Sequence, residues 1–376
     1  YGNTTGDLNT AAGYAALSEN TTADGNTAFG GYALQVNSTG ANNVAVGAYA
    51  LDANTTASNN TTVGSYSLTQ NTTGASNVAL GVSALGYNTT ASNNTAVGFE
   101  ALKLNTTGTQ NVSVGTYALD ANTTADNNTA LGYNALTLNT TGAQNVGLGA
   151  YALQANTTAA YNVGIGYNTL GATTTGQQNV AIGGNALDAN TTGGDNTAVG
   201  QAALGASTTA SNNTAVGTNA LGNNTTGAQN TAVGLQALLN NTTGGYNLAL
   251  GYIALQANTT ASNNMAIGPG ALTANTTGAS NVGLGRNALN ANTTADNNTA
   301  VGHASLSVNT TGQKCTAVGA SALTANTTGV DNTALGELAG YTTTTGDQNI
   351  FVGRAAIASS ATAGQQCTLG SSDITN

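Results

Sequence analysis

The chain has 376 residues, a formal net charge of −10, 5% charged residues, 51 glycines, one proline and no tryptophan. Soluble domains usually carry about 25% charged residues, and large side chains here are too scarce to fill a thick globular core. The four lysines and arginines form no cluster that could neutralise phosphates, and no apolar run approaches the roughly 20 residues of a transmembrane helix. These features argue against nucleic-acid and membrane partners and favour a thin, repetitive architecture.

An unbroken repeat organises the chain. Glycine recurs every 17 residues from Gly13 to Gly370, giving 22 occurrences without an insertion or deletion. We number each repeat from this glycine, position 0, to position 16, and a typical repeat reads G-x-x-A-L-x-x-N-T-T-(G/A)-x-x-N-(T/V)-A-(V/L/I). Position 10 mostly alternates between Gly and Ala, so a weaker 34-residue period overlies the first. Fixed periods of this kind indicate stacked structural repeats.

The repeat predicts strands rather than helices. Seventeen residues interrupted by N-T-T-G cannot supply the two helices of a helical solenoid unit, whereas N-T-A-V-G is strand-like and Asn-Thr-Thr-Gly has turn chemistry. We therefore predict an all-β fold, a parallel β-solenoid or β-roll with 17-residue coils that forms a homotrimeric fibre. Along a strand, side chains alternate between faces, so we expect the apolar residue at position 16 to meet the Leu at position 4 inside the coil.

The small residues at position 15 suggest how chains associate. They are Ala in most repeats, and on the expected strand they face away from the core. Close approach of three chains along an axis lined by these residues would explain their size. The residues expected to carry the architecture are the glycine column Gly47, Gly64 and Gly81; the core residues Leu51, Leu68, Val46 and Val63; the axis residues Ala45 and Ala79; and the ladder residues Asn43 and Asn60.

The pattern decays near the C-terminal end. Gly340 replaces Leu at position 4, Phe351 replaces Ala at position 15, and T-T-T-T replaces the N-T-T turn. We divide the chain into a repeat shaft, residues 1–336, and degenerate terminal coils, residues 337–376, which lead to a C-terminal domain beyond this sequence. Because a Phe cannot replace an Ala on a close-packed axis without strain of about 1 to 3 kcal/mol, the three chains are expected to separate or rearrange near residue 351.

Repeats such as residues 213–234, N-T-A-V-G-T-N-A-L-G-N-N-T-T-G-A-Q-N-T-A-V-G, resemble two groups of proteins. One is the repeat region of phage tail-fibre proteins that end in an endosialidase-type intramolecular chaperone, and residues 346–376 look like the segment that precedes it. The other is the head of trimeric autotransporter adhesins. The resemblance implies a non-enzymatic shaft of a virion fibre, which binds itself as a homotrimer and reaches a host cell-surface receptor or glycan through another region. The alternatives are an adhesin on a bacterial cell surface and, on a separate argument from Thr rows, an ice-binding β-solenoid.

Several polar columns have both structural and functional interpretations. Asn at position 7 begins N-(T/S)-T, which matches the N-glycosylation acceptor, but Asn also prevails at position 13, where the acceptor pattern is usually absent. A hydrogen-bonded Asn ladder explains both columns. The paired Thr residues at positions 8 and 9 suggest either turns or the Thr rows of ice-binding proteins. A Tyr row at position 2 suggests either cover for the turn or a stacking surface for sugars.

No residues predict catalysis, a cofactor or a metal. Asp52, Asp120 and Asp188 share position 5 but lie four coils apart, about 19 Å at strand spacing, whereas glycosidase carboxyls lie within about 10 Å. Asp120 and Asp126 share one coil but have no supporting residues. His303 is the only histidine, and the two cysteines are too few for a disulfide framework or metal site.

Overall fold

The computed structural model describes residues 2–370 and divides the chain into two compact units, Tyr1–Thr192 and Gly193–Asn376. In each unit the chain winds as a parallel β-solenoid with 17-residue coils, and no helix occurs within residues 2–370. The fold-class prediction is therefore confirmed. One three-residue strand occupies positions 14 to 16 of each repeat, within the predicted N-T-A-V-G segment.

Within the first unit, consecutive strands pair in parallel, so that Val44 lies opposite Thr61. They are β1 Thr10–Ala12, β2 Thr27–Phe29, β3 Val44–Val46, β4 Thr61–Val63, β5 Val78–Leu80, β6 Thr95–Val97, β7 Val112–Val114, β8 Thr129–Leu131, β9 Val146–Leu148, β10 Val163–Ile165 and β11 Val180–Ile182.

The strands of the second unit keep the same parallel register, and the pairing continues through its last described coil. They are β12 Thr197–Val199, β13 Thr214–Val216, β14 Thr231–Val233, β15 Leu248–Leu250, β16 Met265–Ile267, β17 Val282–Leu284, β18 Thr299–Val301, β19 Thr316–Val318, β20 Thr333–Leu335, β21 Ile350–Val352 and β22 Cys367–Leu369. Strands β21 and β22 extend the 17-residue register into the expected degenerate segment.

The glycine column at position 0 ends each strand. Gly47, Gly64 and Gly81 have φ values of 136°, 140° and 139°, a region that L-residues with a side chain rarely adopt. A Cβ at Gly47 would also lie 2.5 Å from the backbone oxygen of Gly64 in the next coil. Glycine is therefore required both by the backbone conformation and by the close stacking of coils.

The core lies on the opposite side of the strand from the one predicted. Ala45 and Ala79, expected on an inter-chain axis, are fully buried inside the coil together with Leu51 and Leu68. Conversely, the position-16 residues expected in the core lie on the outer face: Val63 is 40% exposed and Val46 is partly exposed. The assignment of Val46 and Val63 to the core, and of the Ala column to an axis, is thus wrong.

The size of the position-15 residue follows from the Leu that it faces. At Gly147, which occupies position 15, an added Cβ would lie 3.3 Å from Cγ of Leu136, the position-4 residue of the same coil. Position 15 beside this Leu therefore takes small side chains: Ala is usual, and Thr62 is the largest one that faces a position-4 Leu. The core leucines have a left-handed backbone, as at Leu51 (φ 53°). This conformation costs about 1–2 kcal/mol per residue, and burial of the Leu side chain offsets the cost by contributing about 1.5–3 kcal/mol.

In one coil the large and small core residues have exchanged places, with Gly340 at position 4 and Phe351 at position 15. The prediction that Phe351 separates the chains is wrong. Phe351 is fully buried, and a Cβ added at Gly340 would lie 2.6 Å from Phe351 Cδ2 and 2.9 Å from Leu323 Cδ2. The Phe ring thus occupies the space that the position-4 Leu fills in other coils. Because Phe351 lies inside the coil and not on an axis between chains, it gives no reason for chains to separate there.

Candidate functional site: the ladders and outer faces of the coil

Two buried columns of Asn hold neighbouring coils together. At position 13, the backbone N–H of Asn60 donates to Oδ1 of Asn43 (2.9 Å), and Asn60 Nδ2 donates to the carbonyl of Gly74 (2.9 Å). At position 7, Asn54 Nδ2 donates to Asn37 Oδ1 at 2.7 Å. All these side chains are fully buried. Hydrogen bonding therefore accounts for both columns, and burial in the folded coil leaves the position-7 Asn residues from Asn20 to Asn326 inaccessible to a glycosylating enzyme, whereas Asn3 is exposed.

The 34-residue period has a hydrogen-bonding basis that the sequence analysis missed. Where a coil with Gly at position 10 is followed by a coil with Ser or Asp at position 11, the position-11 N–H of the first coil donates to that side chain, as Ala41 N donates to Ser58 Oγ (3.0 Å). Asp126 serves in the same way for the N–H of Thr109 (2.5 Å). In the sequence, these hydrogen bonds are indicated by the alternation of Gly-Ala with Ala-Ser or Ala-Asp at positions 10 and 11. Neighbouring coils are thus donor and acceptor partners.

An uncharged face of apolar residues and Thr runs along the outside of the strands in each unit. It consists of positions 14 and 16, and we call it the strand face. No Asp, Glu, Lys or Arg occupies either position in any repeat. Exposed examples are Phe29 (45%) and Leu148 (36%) in the first unit, and Val233 (38%) and Leu335 (41%) in the second. Isolated exposed apolar residues are ordinary, but contiguous exposed apolar surface marks an interaction site.

The two Thr residues of the N-T-T turn have different environments. At position 8, Thr55 Oγ1 donates to the carbonyl of Thr72 in the next coil (3.2 Å). At position 9, Thr56 and Thr73 are exposed, and every repeat has Thr at this position. Each coil therefore presents one Thr of the pair to solvent, and each unit carries a single-file Thr column.

Tyrosines at position 2 form a stacked row in the first unit. The ring centroids of Tyr32 and Tyr49 are 4.9 Å apart, and those of Tyr49 and Tyr66 are 5.2 Å apart, with interplanar angles of 10° and 6°. Tyr14 meets Tyr32 edge-on. Tyr117 and Tyr151 have edge-to-face aromatic neighbours instead. The row ends at Tyr66, because Ser83 occupies position 2 of the next coil.

A groove opens where this row ends. We call it the Tyr66 groove; its volume is about 330 Å³, and its walls are Tyr66, Thr69, Gln70, Ser83, Gly86, Tyr87 and Lys103. The rings of Tyr66 and Tyr87 are 50% and 43% exposed. Lys103 Nζ lies 2.8 Å from Glu100 Oε1, and the hydrogen bond that it donates to this carboxylate raises the pKa of the lysine.

Two of the position-5 aspartates, Asp52 and Asp120, are hydrogen-bonded between coils. Asp52 Oδ1 accepts from Thr69 Oγ1 (2.5 Å), and Asp120 Oδ1 accepts from Thr137 Oγ1 (2.8 Å). Burial raises the pKa of Asp52, Asp120 and Asp188, and the Thr hydrogen bonds oppose this shift at the first two. Asp120 bonds to the following coil, whereas Asp126 bonds to the preceding coil. The structure therefore gives each carboxylate a separate structural role.

The remaining candidates do not converge on one site. His303 is exposed at position 1. Cys315 is buried where other repeats have the ladder Asn, and Cys367 is exposed. Within residues 2–370, no three His, Cys, Asp or Glu side chains are grouped as metal ligands would be. The same residues contain no helix with the length and hydropathy of a membrane span.

Comparison with known proteins finds no family model that matches this sequence and no curated protein with a significant match.

Proposed function

We propose that this chain is a structural and adhesive shaft that assembles as a parallel homotrimer through the strand face. The observation that carries the proposal is that face itself: it is uncharged, it has an apolar residue at position 16 of every repeat, and it is partly or fully exposed in every described coil of each unit. This replaces the Ala column, which fills the interior of the coil, as the surface between chains.

The periodicity of the strand face favours a second copy of the chain as its partner. Its residues recur at the spacing of stacked coils, about 4.8 Å, and only a partner with the same rise can match them along many coils. A parallel copy satisfies this requirement without any charge pairing. Heterologous contacts that close into a ring give a finite assembly, and the resemblance to trimeric fibres favours three chains.

The energy of such an assembly accumulates over many coils. Position-16 residues such as Leu148 and Val233 keep nearly 40% of their exposure, so burying the remainder contributes about 0.8 kcal/mol per coil, from about 2 kcal/mol for complete burial. Eleven coils with this exposure would together contribute about 9 kcal/mol per chain. This is comparable to the free-energy cost of association, about 4–15 kcal/mol. One coil alone would not associate, which is consistent with a long uninterrupted array.

The resemblance to phage tail-fibre repeats makes a virion fibre the preferred setting, with the shaft spacing a receptor-binding region from the particle. A host cell-surface receptor or glycan would be the external partner. The alternative setting is a bacterial cell surface, as an adhesin of the trimeric autotransporter type. Both settings use the same shaft.

A charge placed on the strand face tests the assembly. We expect the wild-type chain to have three times its 36.5 kDa mass, about 110 kDa, by sedimentation equilibrium or native mass spectrometry. Val216→Lys combined with Val233→Lys should yield monomers, because three copies of each charge would be desolvated in the interface. Thr209→Lys, on an exposed position-9 residue, is the matched control and should remain trimeric. A monomeric wild type, or trimers of the double variant as stable as wild type, would contradict the proposal.

The Thr column at position 9 supports ice binding as a second candidate function. Each unit presents identical hydroxyl and methyl groups at the spacing of the coils. Thermal hysteresis of the wild-type chain, lost when Thr56, Thr73 and Thr90 are replaced by Lys, is the result that this candidate predicts. Absence of hysteresis in the wild type would refute it.

A further inference from the structure

We propose that the Tyr66 groove is a binding site for a neutral pyranose sugar, which lies on the Tyr66 ring in the place of a missing member of the tyrosine row. The site belongs to the shaft itself and requires no other region of a fibre. The inference does not depend on trimer formation, because it rests on contacts within the first unit.

One face of the Tyr66 ring is available to a ligand. Its other face is stacked on Tyr49, with a centroid distance of 5.2 Å and an interplanar angle of 6°. Because the coils of this unit follow one another in order, the free face points towards the coil that contains Ser83. A tyrosine at position 83 would cover it, as Tyr66 covers Tyr49. The serine leaves the ring half exposed.

The coil of Ser83 also lacks other side chains that could fill the space. Gly86, at position 5, forms part of the groove wall without a side chain. Tyr87 follows directly and supplies a second exposed ring. The volume of about 330 Å³ lies at the lower end of the range for small-molecule sites, about 300–1,000 Å³. A single sugar ring is therefore the appropriate size of ligand.

The chemistry of the walls matches a neutral sugar. An aromatic face carries negative quadrupole density, which attracts the slightly positive C–H groups on the apolar side of a pyranose. Gln70 and Ser83 supply side-chain donors and acceptors for hydroxyl groups around the edge, and Thr69, whose hydroxyl donates to Asp52, supplies an acceptor. Lys103 is already paired with Glu100, so the groove presents no free cation to an anionic ligand. This combination favours a neutral hexopyranoside over a phosphate or a sialic acid.

The repeat supplies a variant that fills the site with native-like structure. Ser83→Tyr should extend the row of Tyr32, Tyr49 and Tyr66 and place its own ring where the sugar would lie. Ser321→Tyr makes the same replacement at position 2 of another coil, where the left-handed backbone is the same (φ 57° at Ser83 and 54° at Ser321). It is the matched control. Tyr66→Ala removes the stacking surface without filling the groove.

The experiment is a saturation-transfer NMR titration of the full chain with methyl β-D-galactopyranoside and methyl β-D-glucopyranoside, up to about 50 mM, since single-sugar affinities near 1 mM are expected. We expect wild type and Ser321→Tyr to bind at least one glycoside with Kd values within about twofold of each other. Ser83→Tyr and Tyr66→Ala should each weaken binding by at least about tenfold, which corresponds to about 1.4 kcal/mol. Circular dichroism and the Tm check that each variant is folded.

Two results would overturn the proposal. One is the absence of saturation transfer from wild type to both glycosides over the whole concentration range. The other is undiminished binding by folded Ser83→Tyr or by folded Tyr66→Ala. If one of these two variants fails to fold, the other decides the question. A trimeric chain that does not bind sugar would refute the groove proposal and leave the shaft proposal intact.

Discussion

The exchange of sizes between Gly340 and Phe351 provides a quantitative test of the core. Gly340→Leu restores the usual position-4 residue, but its Cβ would already lie 2.6 Å from Phe351 Cδ2, so overpacking should cost about 1–3 kcal/mol. Phe351→Ala restores the usual position-15 residue and removes a fully buried ring, which should cost about 3–5 kcal/mol. The double variant recreates the Leu-Ala pair of the other coils and should lie within about 1.5 kcal/mol of wild type.

Amide hydrogen exchange of peptides that cover residues 333–352 would measure these costs locally. A loss of about 3 kcal/mol in Phe351→Ala corresponds to a decrease of roughly 150-fold in protection. In the double variant, protection should largely return, giving a coupling free energy of at least about 2 kcal/mol. Gly340→Ala provides a smaller probe of the same contact. Additive losses in the double variant, or full protection in Gly340→Leu, would refute the account of the core.

Three further predictions concern single residues. Burial raises the pKa of Asp52, because the folded protein favours the protonated carboxyl. The protonated carboxyl stabilises the fold at acidic pH, and this stabilisation is lost as the pH rises through the pKa of the folded state. Asp52→Asn should therefore raise the unfolding free energy at pH 7 by about 0.5 kcal/mol after allowance for solvent screening, with no gain at pH 3. Burial raises the pKa of the Cys315 thiol to about 11, so a thiol reagent at pH 8 should modify exposed Cys367 and leave Cys315 unmodified until the chain unfolds. Ala202 has φ 52°, so Ala202→Gly should raise the midpoint of urea unfolding, with a gain of up to about 1 kcal/mol.

Comparison variants check the first and third of these predictions, and the relative modification rates of the two thiols check the second. Thr69→Val removes the hydroxyl that bonds to Asp52 and should make the pH dependence of stability steeper. For the thiols, equal modification rates of Cys315 and Cys367 in the folded chain would contradict the burial argument. Ala150→Gly, at position 1 and outside the left-handed region, should lower stability, whereas Ala202→Gly raises it.

Much of the architecture could be predicted from the repeat. An unbroken 17-residue spacing fixes one coil per repeat, and a glycine that never varies indicates a backbone position where no side chain fits, as Gly47 demonstrates. The hydrogen-bonded role of the Asn columns could also be predicted. Asn prevails at position 13, where the N-glycosylation acceptor pattern is usually absent, so a structural explanation was needed. These features depend on local chemistry that recurs in every coil.

The face of the strand that points into the core could not be assigned in the same way. Alternation separates positions 15 and 16 onto two faces but does not say which is internal, since both are apolar, and the larger residue was assigned to the core. The left-handed backbone of Leu51, which places a large side chain inside the coil, has no signature in the sequence. One signal was overlooked: Gly340 and Phe351 change size together in a single repeat, as residues in contact do.

The candidate site was only partly visible beforehand. The position-2 tyrosines suggested a possible sugar-stacking row, but a continuous row covers its own ring faces. The site depends on the interruption at Ser83 together with Gly86, which matters only when the stacking of coils is known. Likewise, the strand face became apparent only after the core was found on the other side of the strand.

The most direct test of the proposed assembly is disulfide cross-linking at the strand face. In a background with Cys315→Ser and Cys367→Ser, Val216→Cys should form inter-chain disulfides under mild oxidation, because equivalent residues of a parallel trimer lie near the common axis and a disulfide requires Cα atoms about 4.4–6.8 Å apart. Thr209→Cys, on the exposed turn, should remain largely reduced. The account predicts cross-linked dimers on a non-reducing gel for Val216→Cys alone; no cross-linking, or equal cross-linking at both positions, would contradict it.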